Sequence, residues 1–257
     1  MNVPQLSTYA AGAIAAIAAT FAPALAQDGQ ALPDGFVYLA DIAPTIIQDL
    51  RYATAENFTG RPVPGYGSGA CVLKRRAAEA LARVQSDLAG RGLALKVYDC
   101  YRPTRATAAF MSWTQTRQDG APATSRYHPR TTRSELVEAG YISSSSSHST
   151  GMAVDLTLVP AAPGPASRVL DSGCGARPDG SLDMGSGFDC FDAASHSDAN
   201  GLSRAQRDAR QNLADAMRRH GFRAYVREWW HFTFAVEAPG PPRDFVVPAR
   251  VRREGDR

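Results

Sequence analysis

Apolar and polar residues alternate along this chain with two different periods, and the switches between them outline its elements. Over 74–90, Ala77, Ala78, Leu81, Val84 and Leu88 recur at helical spacing, and Gly90 and Gly92 close the run. Residues 93–101, LALKVYDCY, read as a strand, after which Pro103 suits the first turn of a helix running to about Thr116. Thr132 with Glu135 three residues on has the form of a capping box, for a short helix ending before Gly140. Met152, Val154, Leu156 and Leu158 alternate with Ala153, Asp155 and Thr157, which predicts a strand with two distinct faces. Ser203 caps a helix through Arg219 with Ala209, Leu213 and Met217 as its stripe, and Gly221 ends it. Residues 223–234, RAYVREWWHFTF, read as one last strand. Residues 36–51 hold a strand and turn, the stretch from Arg51 to Gly65 a turn-rich loop, and 160–187 a long Gly/Pro/Ser-rich surface loop. With no internal repeat and no regular βαβ units, the pattern predicts an α+β fold: a single domain with a central antiparallel sheet flanked by helices.

Composition narrows the picture. The 257 residues are 44% hydrophobic and 21% charged, as in an ordinary globular protein, and suffice to bury a core. Twenty-eight basic residues face 25 acidic ones, interspersed, so nucleic acid is not the expected partner. No apolar run reaches the roughly 20 residues of a membrane span. Residues 11–26, AGAIAAIAATFAPALA, end in Ala24-Leu25-Ala26, the form of a signal peptidase site. The expected organisation is a secretory signal at 1–26, cleaved after Ala26, a catalytic domain at 27–250 and a frayed tail at 251–257. Export makes disulfides the natural fate of Cys71, Cys100, Cys174 and Cys190; pairing Cys71 with Cys100 and Cys174 with Cys190 gives the shorter loops.

The candidate chemistry lies in two stretches. In Ser146-Ser147-His148-Ser149-Thr150-Gly151-Met152-Ala153-Val154-Asp155 a histidine on a Ser/Gly loop precedes an aspartate set inside an apolar strand. In Glu228-Trp229-Trp230-His231 a carboxylate and an imidazole flank two tryptophans. Such groups in apolar settings need partners, and one divalent ion satisfies them together. His148, Asp155 and His231 supply a two-imidazole, one-carboxylate zinc set that leaves a position for water. Glu228, left over, is the candidate general base. On a regular strand residues three apart face opposite sides, so convergence of Glu228 and His231 requires a bulge or bend at Trp229-Trp230. His128, His196 and His220 read as surface or capping residues, and the tryptophans as packing and cavity wall.

The SxHxxGxAxD pattern followed by ExxH resembles the zinc-dependent D-Ala metallopeptidases, and among them the D-alanyl-D-alanine dipeptidases of the VanX type. The resemblance spans roughly residues 36–248 and includes Asp49-Leu50-Arg51-Tyr52-Ala53-Thr54, Asn57-Phe58-Thr59-Gly60, Asp99-Cys100-Tyr101-Arg102-Pro103, Asp183-Met184-Gly185, Phe188-Asp189 and Ser195-His196. It implies the fold shared with the Hedgehog signalling domain and one Zn²⁺ per chain on His148, Asp155 and His231. It further implies Glu228 as base, Arg102 as the arginine stabilising the transition state, and Ser146, Asp189 and Tyr52 as the substrate pocket. The implied activity is hydrolysis of the free dipeptide, a small-molecule substrate, to which the N-terminal signal adds the expectation of a periplasmic address. A carboxypeptidase or endopeptidase acting on peptidoglycan stem peptides is the alternative, and a zinc-bearing binding module without turnover a third. The apparent export signal, the 160–182 loop carrying Cys174 and the extended tail depart from the family pattern.

Overall fold

The computed structural model describes Met1 and residues 31–116, 125–162, 174–175 and 179–250. The expected cleavage after Ala26 and the tail at 251–257 lie outside the described residues. In chain order the elements are β1 (Phe36–Tyr38), α1 (Leu39–Ile42), β2 (Ile47–Gln48), β3 (Val72–Lys74), α2 (Arg75–Ala89) and β4 (Leu93–Asp99). There follow α3 (Thr104–Gln115), α4 (Glu135–Glu138), β5 (Ala153–Pro160), α5 (Arg204–Arg219), β6 (Phe222–Tyr225) and β7 (Glu228–Phe234). Five strands form one sheet in the order β2-β4-β5-β7-β6, and β1 pairs with β3 in a small second sheet. The main sheet is antiparallel except at one edge, where β2 runs parallel to β4. The architecture is the expected α+β, with that edge strand as a refinement.

Helix α2 buries the predicted stripe completely, and α5 buries Leu213 and Met217. The two helices pack side by side, α2 against β4 and α5 against β5 and β7. The Ser203 hydroxyl and the Gln206 side chain complete a reciprocal capping box at the start of α5. At Thr132 only half of the box forms: the Glu135 carboxylate accepts from the Thr132 N–H at 2.7 Å. Central strand β5 is buried along all but its last residue, with Val154, Leu156 and Leu158 in the core. Asp155 therefore points to the opposite face.

Two expectations need correction. Residues 223–234 are a hairpin, not one strand: Tyr225 pairs with Glu228 around a Val226-Arg227 turn. The 160–187 loop is not wholly on the surface, because Ser181, Met184 and Ser186 are buried at its end. Arg210 explains part of this, since its guanidinium donates to the carbonyls of Met184, His196 and Ala194 at 2.7 Å each. Burial pulls that guanidinium down to about 10, against the nearby Asp183 carboxylate. Cys71–Cys100 and Cys174–Cys190 form the two disulfides of the shorter loops.

Candidate metal centre

Strand register assembles the site. In β4 the pairing with β5 slips between Val97 and Asp99, so that Asp99, and not Tyr98, stands opposite Asp155. Asp155 in turn pairs with His231 of β7. Directly opposite residues share a face, so three adjacent strands present Asp99, Asp155 and His231 in one row. His148 enters from a tight turn over Ser147–Thr150, which the Ser146 hydroxyl caps by accepting the His148 N–H at 3.3 Å. Gly151 ends that turn at φ 76, and a Cβ there would meet the Phe36 ring at 2.4 Å; a side chain is excluded by backbone and by space alike.

The expected irregularity at Trp229-Trp230 is present. Ala224 pairs with Phe232 but the next residue, Tyr225, pairs with Glu228, so Trp229, Trp230 and His231 bulge out of the β6–β7 ladder. The bulge cancels the parity problem: a Glu228 carboxylate oxygen lies 4.0 Å from His231 Nδ1. Trp229 is packed, with its N–H on Ser186 Oγ at 3.0 Å. Trp230 joins the cavity wall.

Three ligand atoms converge. His148 Nε2 lies 3.0 Å from His231 Nδ1, His231 Nδ1 lies 3.0 Å from Asp155 Oδ1, and His148 Nε2 lies 3.2 Å from the same oxygen. The outer nitrogens are engaged elsewhere. His148 Nδ1 meets the Cys100 carbonyl at 2.7 Å; His231 Nε2 meets Ser147 Oγ at 3.2 Å and Thr233 Oγ1 at 3.3 Å. When those outer nitrogens carry the protons, two imidazole lone pairs and a carboxylate face one point, which demands a cation. Metal–ligand bonds of about 2.0–2.1 Å place tetrahedral ligands about 3.3 Å apart, close to the observed triangle. The donor set therefore fits a zinc-type ion. Among the described residues it is the one cluster of three or more such groups that meets this geometry.

The surrounding charges are ordered by hydrogen bonds. Arg102 donates through Nε and Nη2 to Asp99 Oδ2 at 2.9 and 2.7 Å, and its Nη2 is 3.6 Å from Asp155. Asp99 Oδ1 accepts the Tyr66 hydroxyl at 2.7 Å and the Cys100 N–H at 2.9 Å. Tyr52 donates to Asp189 Oδ1 at 2.8 Å, while the second Asp189 oxygen is buried without a partner among the described residues. Asp189 is also the one described non-glycine residue at positive φ, 60°, a strain that marks functional positions. Burial pushes its carboxyl well above the usual range, the Tyr52 hydrogen bond opposes, and Asp155 adds repulsion. Burial likewise raises Glu228, helped by Asp155 and Asp189 and opposed by Arg102. For Asp155 burial pushes upward too, but the two imidazoles outweigh it and hold the carboxyl below its ordinary value.

A cavity of about 460 Å³ is lined by all eight residues singled out in the sequence: Tyr52, Arg102, Ser146, His148, Asp155, Asp189, Glu228 and His231. Sequence reasoning missed Asp99 and Tyr66, which fix Arg102, and Ser147 and Thr233, which orient His231. A buried carboxylate three residues before Arg102 was the available signal for the first. His128 is not a surface residue: it is buried, edge-on to Trp113, with Nδ1 2.9 Å from the Thr131 carbonyl. His196 bonds the Tyr141 hydroxyl at 2.8 Å, and His220 pairs with Asp87 at 2.6 Å.

An α+β domain whose cavity wall carries a His/Asp/His donor set, with the partly buried Glu228 carboxylate beside it, has the form of a metallohydrolase. The family described as D-ala-D-ala dipeptidase matches residues 33–246, and the chain belongs to it. A D-alanyl-D-alanine dipeptidase of Enterococcus faecium is 38% identical over 216 residues, 84% of this chain and 98% of that protein. Another from Streptomyces coelicolor is 35% identical over 213 residues, 83% and 97% of the two chains. Among solved structures, a D,D-pentapeptidase of a vancomycin-resistance cassette in complex with Zn(II) aligns at TM-score 0.36 and 15% identity. That alignment covers 65% of this chain and 75% of that one, too loose a likeness to carry an argument.

Proposed function

We propose that this chain is a zinc-dependent dipeptidase that hydrolyses D-alanyl-D-alanine to two molecules of D-alanine. The observation that carries the reading is the convergence of His148 Nε2, His231 Nδ1 and Asp155 Oδ1, with Glu228 alongside, on one cavity. Family membership and the names of the relatives support the substrate. His148, Asp155 and His231 would hold one ion. A bound Zn²⁺ supplies Lewis acidity to the scissile carbonyl and brings the pKa of its water toward about 7. Glu228 takes a proton from the attacking water and returns it to the leaving amine, from a position beside His231 on the same cavity. Arg102, aimed by its two bonds to Asp99, meets the negative charge developing on the carbonyl oxygen. Asp189 receives the substrate ammonium on its free oxygen, with Tyr52 holding the carboxylate in place. Ser146 lines the same cavity.

We read residues 1–26 as the export signal and the periplasm as the working compartment. Two disulfides, which persist in oxidising compartments, support that reading. Recycling of cell-wall dipeptide fits such an address. The test is a D-alanine release assay with metal analysis on protein beginning at Gln27. About one zinc per chain is expected, with activity lost on chelation and restored by zinc. Metal-free protein that cleaves at the holoenzyme rate refutes the mechanism. Faster turnover of a muropeptide than of the dipeptide favours the stem-peptide alternative. N-terminal sequencing of the periplasmic protein tests the cleavage site.

A further inference from the structure

Among the described residues, each charged side chain of the cavity wall has a polar group of the protein beside it, with one exception. Arg102 is clamped on Asp99, Asp155 lies against two imidazoles, Asp189 holds the Tyr52 hydroxyl, and Glu228 stands beside His231. Arg223 also lines the cavity, is exposed, and has no ion-pair or side-chain hydrogen-bond partner among the described residues. The hairpin fixes where it stands. Arg223 pairs with Thr233 across β6–β7, so the two share a face. Thr233 in turn reaches His231 Nε2 at 3.3 Å. Arg223 thus stands on the cavity wall one strand further out, opposite the residue that touches the ligand imidazole.

A free dipeptide carries a cation at one end and an anion at the other. The ammonium finds Asp189, which lines the cavity and whose second oxygen is buried without a partner among the described residues. The carboxylate finds fewer partners: the Tyr52 hydroxyl is spent on Asp189, and Ser146, whose oxygen accepts the His148 N–H, has a single O–H to offer. Arg102 faces the reacting carbonyl and is bound to Asp99. We propose that Arg223 receives the C-terminal carboxylate of the substrate and selects peptides whose last residue is a free acid. The inference rests on the dipeptidase reading above and adds the group that reads the acid end. A guanidinium suits the task because its planar fork matches both carboxylate oxygens. Its exposure limits the effect, since water screens the pair, so about a tenfold contribution is expected.

The test compares D-alanyl-D-alanine with its C-terminal amide on the zinc-loaded enzyme. Wild type is expected to prefer the acid in kcat/KM. Arg223→Ala narrows that preference by about tenfold, with the loss falling on KM for the acid. Arg223→Lys restores part of it, and Arg223→Glu goes below Arg223→Ala. Zinc content and circular dichroism matching wild type confirm that the variants fold and load. An acid-to-amide ratio that is flat in wild type, or unmoved in folded Arg223→Ala, overturns the proposal while leaving the dipeptidase reading standing. A wild type that cleaves neither dipeptide overturns both.

Discussion

The Asp99→Asn substitution isolates the group that aims Arg102. Asp99 is fully buried and accepts four hydrogen bonds: two from Arg102 on one oxygen, and those of Tyr66 and the Cys100 N–H on the other. Asparagine keeps the shape but replaces one oxygen by an NH₂ group. Turned one way, that NH₂ faces the guanidinium; turned the other, it faces the Cys100 N–H. Either orientation sets donor against donor inside the protein, and a buried group left without its partner costs about 1–3 kcal/mol. Loss of the buried ion pair brings the total to about 3–5 kcal/mol. Urea denaturation at neutral pH measures it. Arg102 also loses its fixed direction, and removal of one such transition-state donor typically costs on the order of 10²–10³ in kcat. Because Asp189, Tyr52 and Arg223 are untouched, the kinetic loss should fall on kcat and leave KM within a few-fold of wild type. An Asp99→Asn variant with wild-type kcat, or with stability within about 1 kcal/mol of wild type, refutes the reasoning.

Three further outcomes are expected. Glu228→Gln keeps the zinc content but lowers kcat by on the order of 10²–10⁴, read in D-alanine release beside metal analysis. Asp189→Asn trades binding for stability. A carboxyl whose folded pKa is raised binds more protons folded than unfolded, so stability falls as pH climbs from the unfolded value near 4 through the raised one. The variant should lack this part of the fall and, since asparagine tolerates positive φ, denature later than wild type at pH 7, while its KM rises at least about tenfold; a lower midpoint at pH 7 contradicts the assignment. Replacing Cys174 and Cys190 together by serine opens a loop of 16-residue separation, expected to cost about 3 kcal/mol and to raise KM, because Cys190 adjoins Asp189; calorimetry and steady-state kinetics read the two effects.

The sequence made some features legible because their physics is local. Helical spacing located α2 and α5, the Ser203 cap and Gly221 bounded α5, and a charged residue inside an apolar strand exposed Asp155. Parity alone demands the bulge at Trp229-Trp230. What escaped depended on distant partners. The Val226-Arg227 turn carries no Gly, Asn or Pro, so nothing in the run from Arg223 to Phe234 signalled a hairpin. Asp99 reads as one more residue of the 93–101 strand, because its importance comes from a register slip that sequence spacing does not record. His128 and the buried end of the 160–187 loop are held by packing against Trp113 and by Arg210, contacts made across long stretches of chain.

The row of Asp99, Asp155 and His231 across three neighbouring strands turns the sheet into a gauge of its own alignment. A single-step slip of β5 brings Val154 or Leu156 into the place of Asp155 and offers the ion a hydrocarbon. Affinity for the ion is then abolished outright, not graded down. Zinc uptake during refolding should consequently appear late and all at once, together with the last strand to find its mate, and partly paired chains should compete poorly for the metal.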